Sequence, residues 1–83
     1  MSLNDQFNEA KAKSVNLPGQ SNDSKLELYS LYKQSTEGDV QGKRPGMFDM
    51  INAAKFDAWE KSKGVSKEEA MQSYIDLVNK LGS

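Results

Sequence analysis

The sequence contains neither cysteine nor histidine among its 83 residues. Without cysteine there is no disulfide to reinforce a small core and no thiolate to act as nucleophile or metal ligand. Without histidine the protein lacks the side chain that titrates near neutral pH and that binds metal ions most often. These absences favour a binding protein over an enzyme, and we expect no metal site and no cofactor.

Strong charge of one sign and long apolar runs are also missing. The chain carries 11 basic and 12 acidic residues, a formal net charge of −1, which gives no general attraction to nucleic acid or anionic membranes. No apolar run approaches the roughly 18 residues of a membrane-spanning helix, and the polar start MSLNDQFNEA has no secretory h-region. We therefore expect one domain over residues 1–83, monomeric and cytoplasmic, that binds no nucleic acid and does not insert stably into a membrane.

Apolar residues recur at helical spacing in four segments, and no segment alternates as a strand would. The predicted helices cover residues 4–16, from within 21–24 to 38, from 48 or 49 to 64, and from 66 onward. N-cap residue types open the second helix, and the spacing of Ser66 and Glu69 forms a capping box before the fourth. The sequence therefore predicts an all-α bundle of four helices.

The same spacing predicts the inward-facing stripe of three helices. In the first it comprises Leu3, Phe7, Ala10 and Ser14. In the third it comprises Phe48, Ile51, Lys55 and Ala58. In the fourth it comprises Ala70, Tyr74, Leu77 and Leu81.

The segment GDVQGKRPG places Lys43 and Arg44 among glycines, a composition that suggests a phosphate cradle. It lacks the order G-x-x-x-x-G-K-[ST], and no strand precedes it. We interpret it as a solvated turn.

Tyrosines and lysines on the inward stripes suggest a ligand site. Tyr29, Tyr32 and Lys33 stand at i, i+3 and i+4 of the second helix, a spacing that makes them neighbours. Lys55 and Tyr74 occupy the stripes of the third and fourth helices. The simpler interpretation is a pair of core aromatics with a lysine extending past them to solvent.

An unpaired ammonium is costly to bury. For Lys33 the only carboxylate at helical spacing on its own helix face is Glu37, so one acid serves two cations. An external anion would resolve the imbalance, and tyrosine rings can stack a purine. The pattern favours a groove for a phosphorylated aromatic ligand.

Four segments in order resemble the acyl-CoA-binding protein family: LYSLYKQSTEGDV, RPGMFDM, AKFDAW and SKEEAMQSYIDLV. The family pattern runs Y-x-x-Y-K-Q-A-T-x-G-D, R/K-P-G-M-x-D, A-K-W-x-A-W and A-x-x-x-Y-I. The resemblance implies a four-helix, up-down-down-up bundle that binds long-chain acyl-CoA esters without transforming them.

The resemblance also implies a role for each candidate residue. Tyr32 would stack the adenine, while Tyr29 and Lys33 would meet the phosphates and the ligand backbone. Lys55 would join the charges around the 3′-phosphate, and Tyr74 would line the groove near the thioester. Leu26 is the best match for the apolar start of the second helix, along which the acyl chain would lie.

The sequence departs from the family pattern at three positions. Val15 and Ile51 stand where relatives often carry lysine, and Phe56 replaces the first tryptophan of A-K-W-x-A-W. Lys11 and Lys13 are the available replacements on the first helix. Lys13 is poorly placed, because a two-residue offset turns a helical side chain by about 200°.

Two other functions fit the same residues. A helical protein-interaction module would use an exposed stripe to hold a partner helix. A binder of CoA or nucleotide phosphates without lipid preference would use the lysines and tyrosines alone.

Overall fold

The computed structural model describes residues 2–82 and contains four α-helices with no strand in that range. They are α1 (Leu3–Ser14), α2 (Asn22–Glu37), α3 (Met50–Lys61) and α4 (Lys67–Leu81). The all-α fold class predicted from periodicity is confirmed.

Serine side chains begin three of the helices. The hydroxyl oxygens of Ser2, Ser21 and Ser66 each accept a hydrogen bond of 3.1 Å from the backbone N–H three residues later. Each bond satisfies an amide that has no partner within the helix. The N-cap predicted at Ser66 is confirmed. Gly38 ends α2 as predicted, with a φ of 83° that favours glycine.

The first and third helices differ from their predicted bounds. Helix α1 spans 3–14 rather than 4–16, because Ser2 supplies the cap. Helix α3 begins at Met50, with Asp49 as its N-cap residue, so Phe48 lies outside it.

The inward-facing stripe predicted for α3 is wrong at its start. Phe48 is 97% exposed and Ile51 is 73% exposed, and Ala53 is the residue of α3 that is buried. The reason is that, of the other helices, α3 packs closely only against α2. A stripe read from spacing alone therefore included a face with no neighbour.

Contacts between helix ends give their directions. Helices α1 and α4 run parallel, since Leu17 after α1 lies against Gly82 after α4. Helices α2 and α3 also run parallel, because the Trp59 indole N–H donates to the carbonyl of Gly38 at 2.8 Å, where both helices end. Helix α4 opposes α2, whose C-terminal Gln34 bonds to Val65 just before α4 begins. The order is up-down-down-up.

The core lies mainly between α1, α2 and α4. Its buried residues are Phe7, Ala10, Tyr74, Ile75 and Val78. Partly buried side chains pack around them: Leu3, Leu17, Leu28, Leu31, Tyr32 and Met71. Helix α4 contributes the largest share, as its periodicity predicts, although Leu77 and Leu81 are only partly buried.

A polar junction fixes the end of α2. Gln34 is 1% exposed, and its amide nitrogen donates to Asp39 Oδ1 and to the carbonyl of Val65, both at 2.8 Å. The backbone N–H of Gly64 donates to the same carboxylate oxygen at 2.8 Å. The junction therefore joins the α2–α3 loop to the α3–α4 loop, and it orients the helix that carries most of the candidate site.

Candidate ligand-binding site

Two lysines from different helices meet at the ring of Tyr29. Lys33 Nζ lies 5.9 Å and Lys55 Nζ 5.5 Å from the ring centroid. Both distances fall within the range of cation–π contacts, which are worth about 0.5–1 kcal/mol at exposed sites. Lys33 Nζ also lies 5.6 Å from the ring of Trp59. The structure thus brings Tyr29, Lys33 and Lys55 together, as the helical spacing and the resemblance predict.

The two ammonium groups differ in their ionic partners. Lys33 Nζ donates to Glu37 Oε2 at 2.6 Å, and this hydrogen bond is the main cause that raises the pKa of Lys33. Burial of the ammonium lowers that pKa, whereas the negative charge of Glu37 and, to a lesser degree, Tyr29 and Tyr32 raise it further. Lys55 forms no ion pair with any residue from 2 to 82. Of the two cations at Tyr29, Lys55 therefore has no anionic partner among the described residues.

Tyr32 belongs to an aromatic cluster one turn further along α2. Its ring stacks against Phe7 with centroids 6.1 Å apart and planes at 17°, and lies 6.4 Å from Tyr74. Lys11 Nζ, from α1, lies 5.1 Å from the Tyr32 centroid. Tyr32 is only partly buried, so part of its ring remains available to a ligand.

Tyr74 lies deeper than the other candidate residues. It is 4% exposed, meets Phe7 edge-on at 5.1 Å, and its hydroxyl donates to Ser14 Oγ at 3.0 Å. That hydroxyl joins α4 to α1. The structure therefore brings Tyr74 to Tyr32, whereas it brings the two lysines to Tyr29.

Leu26 lines a groove between the starts of α2 and α3. The groove has a volume of about 470 Å³. Its walls are Asn22, Lys25, Leu26, Met50, Ile51, Ala54 and Lys55. They include apolar side chains and two lysines but no carboxylate, so the groove suits a ligand with an apolar chain and an anionic end.

A larger groove, of about 680 Å³, shares Leu26 and Ala54 with the first. Three carboxylates line it: Asp23, Glu27 and Asp57. They would repel phosphates, so the smaller groove is the better candidate despite its volume.

The other cations considered from the sequence lie elsewhere. Arg44 makes a two-pronged pair with Asp57, at 2.8 and 3.0 Å, which raises the pKa of the guanidinium and lowers that of the carboxyl. Residues 38–46 form an irregular loop with bends at Asp39 and Gly42 rather than a hydrogen-bonded turn. Lys13 pairs with Glu9 at 3.4 Å, with both side chains more than half exposed.

Two residues at the site, Lys25 and Met50, are not named from the sequence as ligand contacts, and Lys11 is named there only as a replacement for a family lysine. Lys25 and Met50 line the groove, and Lys11 lies against Tyr32. Lys25 could have been found from the helical spacing, because it lies four residues before Tyr29 on α2. Met50 stands at no such spacing from Lys55. The contact of Lys11 with Tyr32 depends on how separate helices pack, which spacing within one helix does not give.

Within residues 2–82, no group of three or more acidic side chains is placed to hold a metal ion. Over the same range, no helix combines the length and apolar character needed to cross a membrane.

The model of the family described as "Acyl CoA binding protein" matches residues 4–78. The chain belongs to the acyl-CoA-binding protein family. An acyl-CoA-binding protein of Fritillaria agrestis is 51% identical over 82 residues, which cover 98% of this chain and 94% of the relative. The crystal structure of Oryza sativa acyl-CoA-binding protein 2 superposes with a TM-score of 0.94 at 47% identity, covering 96% of this chain and 90% of that one.

Two of the similar proteins are named as isomerases. Enoyl-CoA delta isomerase 2 of Homo sapiens is 53% identical over 60 residues, which are 72% of this chain but 15% of the isomerase. Most of that enzyme lies outside the shared segment. The likeness is therefore to a minor part of the isomerase.

Proposed function

We propose that this protein binds medium- to long-chain acyl-CoA esters and carries or buffers them in the cytoplasm, as a monomer, without transforming them. The observation that carries the proposal is the position of Lys55. Its ammonium lies at the Tyr29 ring without an acidic partner in residues 2–82, while its side chain also lines the apolar groove. An anionic group and an apolar chain on one ligand satisfy both features at once.

The parts of the ligand match the parts of the site. Lys33, Lys55 and the Tyr29 hydroxyl would meet the phosphates, and the partly exposed Tyr32 ring would stack the adenine. Leu26 would contact the acyl chain in the groove. Tyr74 would pack against Tyr32 and lie near the thioester.

The ligand has an apolar acyl chain and a charged nucleotide end, and specific binding requires contacts with both. Covering the acyl chain contributes up to about 0.8 kcal/mol per buried CH₂, and stacking a base on an aromatic ring adds about 1–3 kcal/mol. Free fatty acid lacks the phosphates and the purine, whereas free CoA lacks the chain. Neither part alone should bind as tightly as the ester.

Catalysis has no support in the site. The side chains that meet at Tyr29 are lysines and aromatic rings, and the acid beside them, Glu37, is held by Lys33. A paired carboxylate without a nucleophile beside it fits a binding role better than an acid–base one.

A thermal-shift experiment with palmitoyl-CoA, CoA and palmitate tests the proposal. A ligand that binds only the folded state raises the melting temperature. We expect the largest shift with palmitoyl-CoA, a small one with CoA and none with palmitate. A protein-interaction module would show no shift with any of them, and a phosphate binder indifferent to lipid would respond equally to CoA and its ester.

Substitutions at two candidate residues sharpen the test. Tyr32→Ala and Lys55→Ala should each weaken palmitoyl-CoA binding about tenfold or more, equivalent to about 1.4 kcal/mol, as measured by titration calorimetry. Lys61→Ala is the matched control, because Lys61 is on the same helix as Lys55 but lines the larger groove, which is not the proposed site. Unchanged affinity in both site variants would remove these residues from the proposed site.

A further inference from the structure

Lys11 places a third cation at the aromatic residues of α2. Its ammonium lies 5.1 Å from the Tyr32 centroid and 5.8 Å from that of Phe7, so it lies over two stacked rings. It forms no ion pair within the described chain. The side chain is partly buried, so it is not a freely solvated surface lysine.

The two lysines of α1 have separate environments. Lys13 is exposed and held by Glu9, which neutralises it locally. Lys11, two residues earlier, points about 200° away from Lys13 around the helix, toward α2. Helix α1 therefore offers one paired cation to solvent and one unpaired cation to the site.

Lys11 also shares a helix face with Val15. The two residues are separated by four positions, the spacing that makes helix neighbours. Val15 forms the C-cap of α1 and is 81% exposed. The helix face that carries Lys11 therefore continues to an exposed position one turn later.

We propose that Lys11 binds a phosphate of the nucleotide end of acyl-CoA, supplying from α1 the cation that Val15 lacks. The inference rests on the proposed function and deepens it. Lys11, Lys33 and Lys55 then approach the ligand from three different helices. Among residues 2–82, Glu37 is the one acid that pairs with any of these three lysines, so an excess of positive charge remains for the phosphates of CoA.

The test compares Lys11→Met with Lys13→Met by titration calorimetry with palmitoyl-CoA at low and high salt. Methionine keeps an apolar side chain over the two rings and removes the charge. We expect Lys11→Met to bind about tenfold or more weakly, the loss of one charge-assisted hydrogen bond. Its affinity should also depend less on salt than that of the wild type, because fewer charges remain to be screened. Lys13→Met should stay within about twofold.

Restoring the charge one turn later completes the test. The double variant Lys11→Met, Val15→Lys should recover most of the lost affinity if a cation on this face is what the ligand requires. Wild-type affinity in Lys11→Met, equal losses in both single variants, or no recovery in the double variant would overturn the inference and leave the proposed function standing. A wild-type protein that does not bind palmitoyl-CoA would overturn both.

Discussion

The ammonium of Lys33 has an anion inside its own helix. Glu37, one turn later, accepts its hydrogen bond at 2.6 Å beside the rings of Tyr29 and Trp59. A pair of this kind on a helix surface contributes about 0.3–0.5 kcal/mol, which is small beside a charge-assisted bond to a phosphate. Glu37 therefore holds Lys33 in place, and we expect it to compete only weakly with the proposed ligand.

Removing that competitor should strengthen binding. We expect Glu37→Gln to increase palmitoyl-CoA affinity a few-fold, because the variant frees Lys33 and removes a negative charge that repels the phosphates. Titration calorimetry measures the change. Glu9→Gln is a matched control, since it breaks the equivalent i, i+4 pair with Lys13 away from the site. Weaker binding by Glu37→Gln would show that Glu37 instead positions Lys33 for the ligand. Unchanged binding would show that Glu37 does not compete with the ligand for Lys33.

At the scale of elements, α2 carries most of the site and is held at its C-terminal end by Asp39. The backbone N–H of Gly64 and then the amide of Gln34 stabilise the Asp39 carboxylate and lower its pKa below the ordinary value of 3.8. A group whose pKa is lower in the folded state stabilises the fold above its unfolded pKa. That contribution is lost as pH falls through the folded pKa.

The pH dependence of Asp39→Asn should therefore differ from that of the wild type. At pH 7 the variant should be less stable, because its neutral amide is a weaker acceptor for Gly64 and Gln34. As pH falls below about 4, where unfolded aspartate becomes protonated, the difference should shrink. Urea unfolding at pH 7 and pH 3 measures it, with Asp76→Asn on α4 as a control for losing one negative charge. A constant difference between the two pH values would contradict the linkage.

The sequence predicted elements better than the contacts between them. Helix α4 was correctly identified, because a capping serine, a broad apolar stripe and burial against two helices all agree. The stripe predicted for α3 included Phe48 and Ile51, since spacing within a helix does not show how many neighbours it has. Spacing and resemblance predict that Lys33 and Lys55 meet near Tyr29, whereas the contact of Lys11 with Tyr32 depends on how separate helices pack.

The arrangement of the whole molecule leaves α3 on the outside. Helix α2 packs against both α3 and α4, and α1 packs against α4, whereas α3 has α2 as its only closely packed helix among residues 2–82. Ala53 is the buried residue of α3, compared with four buried residues in α4. Local opening is easiest where few apolar contacts hold an element, so α3 should be the first helix to open.

Ligand binding should therefore protect α3 more than any other helix. The proposed ligand contacts α3 through Lys55 and the groove beside Met50 and Ile51, and it joins that helix to α2, which forms the opposite wall. In hydrogen exchange we expect the amides of α3 to exchange faster than those of α4 in the free protein. We also expect α3 to gain the largest protection with palmitoyl-CoA, and little with palmitate at the same concentration. Because an acyl chain in the groove adds a second apolar surface to α3, CoA alone should protect it less than the ester does. Protection gained mainly in α1 and α4, or equally from CoA and palmitoyl-CoA, would show that the chain does not lie between α2 and α3.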